Sequence, residues 1–291
     1  MTDTRLHVLR GGPLTTIQDL GRQGFAHLAV PRSGAVDRPS LTLANRLVGN
    51  SEDAAGLEMT VEGVAGYLDQ PRYVAVTGAE APITIGGRPA AWGVAQRVRA
   101  GELIEVGRAR RGARSYLAVA GGIDAVPVMG SRSTDLLSGL GPPIVTDGAR
   151  LRIGPATAPP AALDFAPYRL PQAELVLDCY LGPRDDWVTS EAIELFARTA
   201  WQVSTDSNRI ALRLRGVRLE RRITRELLSE GVPLGSVQVP ADGQPVVFLN
   251  DHPTTGGYPV IGVVPEPDIW QCGQAVPGTS IRFRIKRCSP L

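Results

Sequence analysis

Apolar stretches in this chain are short, rich in branched residues and repeatedly cut by Gly, Pro or Asp, a pattern that favours strands joined by tight turns. Tyr73-Val74-Ala75-Val76-Thr77 and Ile281-Arg282-Phe283-Arg284-Ile285 show the form, and 103–106, 116–120, 175–177, 210–214, 246–249 and 260–264 repeat it. The 33 Gly and 24 Pro make up about a fifth of the 291 residues, against roughly 12% in average usage. At 43% hydrophobic residues the chain still holds enough apolar material for one large core or two smaller ones, which excludes wholesale disorder. The spacing predicts a mainly β protein of barrel or sandwich type.

Two segments carry the helical period instead. In 37–49, Asp37 is placed to cap, Pro39 falls in the first turn, Leu41, Ala44, Leu47 and Val48 share a face, and Gly49 ends the run. In 189–198, Ala192, Leu195 and Phe196 continue a helical face begun at Val188, behind Thr189 or Ser190 as the cap. Each half thus gains one main helix. Between them, residues 154–162 form a low-complexity stretch whose prolines cannot join a sheet interior. The expected division is an N-terminal domain over 1–155, a linker over 156–172 and a C-terminal domain over 173–291. Pro13-Leu14-x-x-Ile17-Gln18 and Pro233-Leu234-x-x-Val237-Gln238 share a pattern that either records a duplicated barrel element or arises by coincidence.

Charge narrows the function. A formal net charge of +2 gives no sequence-wide excess to attract nucleic acid or an anionic membrane, so the expected partner is a small molecule or a protein. Lys286, the only lysine, lies between Ile285 and Arg287, which removes a Gly-Lys-Ser/Thr phosphate loop and argues against Schiff-base chemistry and biotin carriage. Cys179, Cys272 and Cys288 form no C-x-x-C pair and read as reduced structural thiols. His7, His27 and His252 are scattered with no local zinc signature, so no metal is expected. No run nears the roughly 18 apolar residues of a membrane helix, and residues 1–10 lack a signal peptide's apolar stretch. The expected location is the cytoplasm.

Three loop regions concentrate polar side chains. In the first, Arg22 and Arg32 carry forks suited to a carboxylate or phosphate, while Gln18, Asp19 and Ser33 are suited to orient an amide or a water. The same residues equally make a helix cap and surface turns. The second joins Gly121-Gly122-Ile123-Asp124 to a segment holding Ser131, Arg132 and Asp135, where the glycine pair serves either a ligand or a tight hairpin. In the third, backbone N–H groups around Gly256 and Gly257 could form an anion-binding nest beside Thr254 and Thr255, with His252 either a general acid or base or simply solvated. No Ser-His-Asp order or paired-carboxylate spacing selects a nucleophilic mechanism. From the residues alone, the chain is a β-rich protein that binds a small anion.

These segments also carry a resemblance. GPLTTIQDLGR at 12–22, VPRSGAVDR at 30–38, ANRLVGN at 44–50, YLAVAGGI at 116–123 and GSRSTDL at 130–136 recur in order. GPRDDW at 182–187, GVPLGSVQVPADGQP at 231–245 and TTGGYP at 254–259 continue it over nearly the whole chain. Together they resemble the allophanate hydrolase subunit 2 type, also called the biotin-dependent carboxyltransferase-like or Kip-antagonist family. The resemblance implies tandem cyclophilin-like β-barrel domains, with no claim of prolyl isomerase activity. For a chain of this length it implies the C-type subunit of an ATP-dependent 5-oxoprolinase complex, which hydrolyses 5-oxo-L-proline to L-glutamate. The companions would be a subunit 1-like (Kip inhibitor-like) chain and a third, A-type subunit, with ATP as co-substrate of the complex.

Two alternatives accompany it: the carboxyltransferase component of a biotin-dependent urea or amide carboxylase, and a non-catalytic antagonist of a kinase-inhibitor protein. Biotin enters only under the first. With the resemblance, the candidate catalytic residues are Gln18, Asp19, Arg22, Arg32, Ser33 and Asp37, and the candidate substrate-binding residues are Ser131, Arg132, Asp135, Thr254, Thr255, Gly256, Gly257 and Tyr258. Asn208 stands where the family tends to show an aspartate, an exchange that a turn also tolerates.

Overall fold

The computed structural model describes residues 3–163, 166 and 172–286. Contacts divide the chain into two compact units, neither continuous in sequence: 1–22, 33–135 and 139–171 form the first, and 23–32, 136–138 and 172–291 the second. Part of the expected 156–172 linker, and Cys288, lie outside the described residues.

The first unit is built from β1 (Thr4–Arg10), β2 (Leu14–Gln18), α1 (Arg38–Leu47), β3 (Gly56–Thr60), β4 (Ala65–Leu68), β5 (Arg72–Glu80), β6 (Ile83–Ile85), β7 (Arg88–Pro89), β8 (Gln96–Val98), β9 (Leu103–Val106), β10 (Arg111–Val119) and β11 (Arg150–Ile153). One sheet runs β11-β1-β4-β9-β6-β7 and the other β2-β3-β10-β5-β8. Leu6, Val8, Leu57, Val74, Val76, Leu117 and Val119 belong to one buried core. On the other face of β5 and β10, Ala75 and Ala118, with Ala120 just beyond, pack against Ala44, Leu47 and Val48 of the α1 segment. In Leu117-Ala118-Val119-Ala120 the large residues face the core and the small ones lie beneath the helix, while Tyr116, on the helix side, packs with Leu41 of α1. Asp37 caps α1, its Oδ1 accepting from Ser40 N at 3.0 Å and its Oδ2 from Ser40 Oγ at 2.6 Å.

The second unit contains β12 (Glu174–Leu181), α2 (Ser190–Arg198), β13 (Trp201–Val203), β14 (Ala211–Arg215), β15 (Glu230–Gly231), β16 (Ser236–Gln238), β17 (Val246–Phe248), β18 (Thr255–Gly256), β19 (Val260–Val263), α3 (Ile269–Gln274) and β20 (Ser280–Lys286). A closed barrel runs β12-β19-β16-β17-β14-β13-β20, shut by the parallel pairing of β12 with β20. Closure removes sheet edges. Leu175, Leu177 and Cys179 are buried along β12 while Val176 and Tyr180 are exposed. Phe196 of α2 stacks on Phe283 at 4.3 Å between centroids, and Trp201 Nε1 donates to Phe196 O at 3.0 Å, so the helix is held by aromatic packing and a satisfied indole. Burial pushes the Cys179 thiol up to about 12, and Cys179 and Cys272 are free and buried.

The two shared Pro-Leu-x-x-Ile/Val-Gln segments occupy different places. β2 precedes the main helix of its unit and edges a sheet, whereas β16 follows α2 and lies between β19 and β17. What they share is local: Gln18 and Gln238 end their strands buried, and each donates through Nε2 to a backbone carbonyl, Thr134 O at 2.9 Å and Tyr258 O at 3.0 Å.

Candidate functional site

In the first unit, the loop that follows β2 and the 131–135 segment, over a hundred residues apart, close on one carboxylate. Asp19 is buried, and its Oδ1 accepts from Ser131 Oγ at 2.6 Å, Ser133 Oγ at 2.6 Å and Gly21 N at 2.8 Å. Its Oδ2 accepts from Arg132 N at 2.5 Å. Neutral dipoles thus compensate the buried charge. Arg22 lies beside this cage, fully buried, donating from Nη2 to Ser133 O and standing 3.9 Å from Asp135 Oδ2. Ser33 adopts a φ of 55° and donates from Oγ to Thr134 O at 2.9 Å. At Gly34, with φ +89°, a Cβ would lie 2.8 Å from Gly21 N, so glycine lets the two backbones touch.

Gln18 donates to Thr134 O and, at 3.0 Å, to Thr16 Oγ1. A carbonyl accepts only, so it fixes which way the amide points. The Gln18 Oε1 acceptor and the Thr134 hydroxyl are buried without hydrogen-bond partners. Arg132 is half-exposed, its Nε donating to Ala125 O at 2.9 Å and its guanidinium 3.9 Å from Asp124. Gly121 and Gly122 both have positive φ, and a Cβ on Gly121 would lie 2.1 Å from Gly154 O. Their freedom serves a close backbone approach within the fold.

Sequence reasoning missed a second buried cluster in this unit. Glu58 Oε2 accepts from Tyr116 OH at 2.7 Å and from Val36 N at 3.0 Å, with Arg114 Nε 3.4 Å from Oε1. Tyr116 OH in turn accepts from Asp37 N at 2.8 Å. Burial, then the Glu58 and Asp37 charges, hold the phenol well above the ordinary tyrosine range. Asp37 therefore belongs to a buried network as well as to a helix cap. The available signal was a glutamate within the otherwise apolar Gly56–Thr60 strand.

In the second unit, the fully buried Arg209 and Asp251 form a two-pronged pair, Nε to Oδ2 and Nη2 to Oδ1, both 2.9 Å. Leu136 N also donates to Asp251 Oδ2, at 3.1 Å. Neither residue was singled out from the sequence. Asn208 beside them is exposed, and its Oδ1 accepts from Ile210 N at 2.8 Å, the turn that its substitution for aspartate suggested. Arg32 pairs with the half-exposed Glu266 at 2.7 Å, while its Nε is buried without a partner. His252 is buried, its Nδ1 2.7 Å from Pro253 O, so it is not a solvated loop residue.

The 254–258 loop differs from its expectation. Neither Gly256 nor Gly257 has positive φ, and Thr255 and Gly256 pair as β18 with β15, so no anion nest forms there. Gly256 is needed for another reason: a Cβ would lie 2.6 Å from Gln238 Nε2, the group that donates to Tyr258 O. Thr255 thus sits on a strand pair, flanked by Thr254 and followed by Tyr258, whose carbonyl Gln238 holds. Among the described residues, no three His, Cys, Asp or Glu side chains gather as a metal site, and no helix is long and apolar enough to cross a membrane.

The family model described as carboxyltransferase domain, subdomain A and B, matches residues 28–285. The chain is 39% identical to the C-type subunit of 5-oxoprolinase from Escherichia coli (strain K12) over 96% of this chain and 90% of that protein. It is 32% identical to urea amidolyase of Lachancea kluyveri over 94% of this chain, but spans only 16% of that protein. The crystal structure of K. lactis urea amidolyase superposes with a TM-score of 0.89 at 30% identity, covering 96% of this chain and 18% of the other.

Proposed function

The chain belongs to the carboxyltransferase domain family of subdomains A and B, and on that premise we propose that it serves as the C-type subunit of an ATP-dependent 5-oxoprolinase hydrolysing 5-oxo-L-proline to L-glutamate. The observation that carries the reading is the match to the E. coli protein, at 39% identity and over 90% of that protein's length. The proposed companions are a subunit 1-like chain and an A-type subunit, acting together in the cytoplasm with ATP as co-substrate.

Opening a lactam with ATP requires phosphorylation of the amide oxygen, addition of water to the activated carbon and departure of the ring nitrogen as an amine, with a second water releasing phosphate. In the first unit, Asp19 supplies a carboxylate whose position the Ser131, Arg132 and Ser133 donors fix, suited to orienting the water. Gln18 offers a fixed acceptor for a lactam N–H, and the half-exposed Arg132 a cation for developing phosphate charge. Arg22, Ser33, Asp37 and Asp135 hold these segments in place. Arg32, with Thr254–Tyr258, is the corresponding candidate set of the second unit.

The test is glutamate and ADP release from 5-oxoproline and ATP by this chain mixed with both companions, each omitted in turn. Turnover that vanishes without this chain supports the reading, and Arg32→Ala then separates a substrate contact from a structural pair. Silence from an assembled complex moves the assignment to a carboxyltransferase component fed by carboxybiotin on a carrier elsewhere. The likeness to urea amidolyase favours that second reading.

A further inference from the structure

Residues 213–225 hold six arginines against a single carboxylate, Glu220, although the whole chain is nearly neutral. Among the described residues only Arg215 of the six forms an ion pair, with Asp206 at 3.2 Å. Arg225 lies over the Trp187 ring at 5.7 Å. Arg218 Nη2 donates to Ala241 O at 3.3 Å, and Arg221 Nη2 to Arg225 O at 3.4 Å. Arg221 Nε is buried without a partner. Like charges crowded together raise the local potential. An anion relieves that crowding.

The arginines surround a place to put one. Arg218, Leu219, Glu220, Arg221, Thr224 and Ala241 line a cavity of about 530 Å³, within the range of small-molecule sites. Its walls are fixed by backbone bonds: Leu219 N donates to Gly243 O at 3.0 Å, and Arg222 N to Trp187 O at 2.9 Å. Gly243, with φ +74°, makes room for Arg218, since a Cβ there would lie 2.6 Å from Arg218 Cγ. A neighbouring cavity of about 480 Å³ that includes Arg213 and Arg215 also carries Asp206 and Asp242, so its charge is already balanced. The cavity lined by Arg218 and Arg221 has Glu220 as its single carboxylate and keeps a net positive lining.

We propose that the cavity between Arg218, Arg221 and Thr224 binds the phosphate chain of a small molecule, a nucleoside triphosphate or a free polyphosphate. Arginine forks match phosphate oxygens in pairs, and the threonine hydroxyl adds a further donor. The inference goes beyond the turnover reading and is tested on this chain without companions, so either can fail alone.

The experiment is calorimetric titration of the full chain with ATP, sodium tripolyphosphate and adenosine at low and moderate salt. Saturable binding of ATP and tripolyphosphate, weakened by salt, is expected, with no binding of adenosine. Tighter binding of ATP would identify a nucleotide, and equal binding a phosphate chain alone. Arg218→Ala/Arg221→Ala should weaken binding about tenfold or more, and Arg218→Lys/Arg221→Lys, which keeps charge but loses the fork, by less. Arg88→Ala/Arg97→Ala, which removes the same charge from exposed positions in the first unit, should leave binding unchanged. The proposal is overturned if neither phosphate probe saturates, if adenosine competes, or if both alanine pairs weaken binding equally. It also falls if the Arg218→Ala/Arg221→Ala chain binds ATP as tightly as the parent.

Discussion

Asp19 in the first unit and Asp251 in the second are buried carboxylates of the same kind, held in opposite ways. Asp251 faces the Arg209 fork, so charge meets charge with both side chains fully inaccessible. Asp19 is held by two serine hydroxyls and two backbone N–H groups, all neutral. A charge pair neutralises itself and braces the fold, whereas a dipole cage fixes a carboxylate while leaving its negative charge in place. The second arrangement is the one that chemistry can use, which is why Asp19 and not Asp251 is the carboxylate proposed to orient water.

The sharpest break of this comparison is Asp251→Ala, which strands the Arg209 guanidinium and should cost about 3–5 kcal/mol in denaturant unfolding. Replacing both partners by apolar residues, Arg209→Met/Asp251→Leu, should recover most of that loss. A single-variant loss below about 1 kcal/mol would show that the pair does not brace the barrel. Asp19→Asn should cost less, about 1–3 kcal/mol, because it turns an acceptor against donors without stranding a cation. It should also abolish complex turnover, and retained turnover would return Asp19 to a purely structural role.

Tyr116→Phe tests the other buried network of the first unit and should cost about 1 kcal/mol at neutral pH, since Asp37 N and Glu58 each lose a bond. Its pH dependence carries a definite sign. A phenol whose folded pKa lies above its unfolded value of 10.0 contributes stability that is complete below pH 10 and lost as pH rises through the folded value. The variant should therefore show a shallower alkaline fall in unfolding free energy than the parent; an identical fall would exclude Tyr116 as its source. The smallest effect is expected from Asn208→Asp, where either side chain accepts from Ile210 N: stability should change by less than about 0.5 kcal/mol.

Much of this was written locally. The Asp37 cap, Pro39 and the 41–48 stripe locate α1, and the branched pentads around Val74 and Phe283 lie within β5 and β20. The first two polar loops were visible too, because Gly, Ser, Arg and Asp rarely crowd together inside strands. Their pairing was not: Ser131 and Ser133 meet Asp19 across 112 and 114 residues, a distance over which no sequence period speaks. Glu58 and Arg209 escaped notice because each sits among apolar or turn residues, and their meaning comes only from Tyr116 and Asp251 opposite them. The glycines of 256–257 misled for a related reason, since a residue without a side chain fits both a turn and a tight approach, and only the neighbouring Gln238 decides.

The chain passes back and forth between the two units, the second of which takes up 23–32 and 136–138 out of sequence order. A single recombination breakpoint near residue 160 would therefore not transplant either unit whole: the later piece would leave behind Arg32, the partner of Glu266, and Leu136, which donates to Asp251. Its likeness to urea amidolyase runs over 94% of this chain and 16% of the larger protein, so the interleaved pieces of both units are matched together.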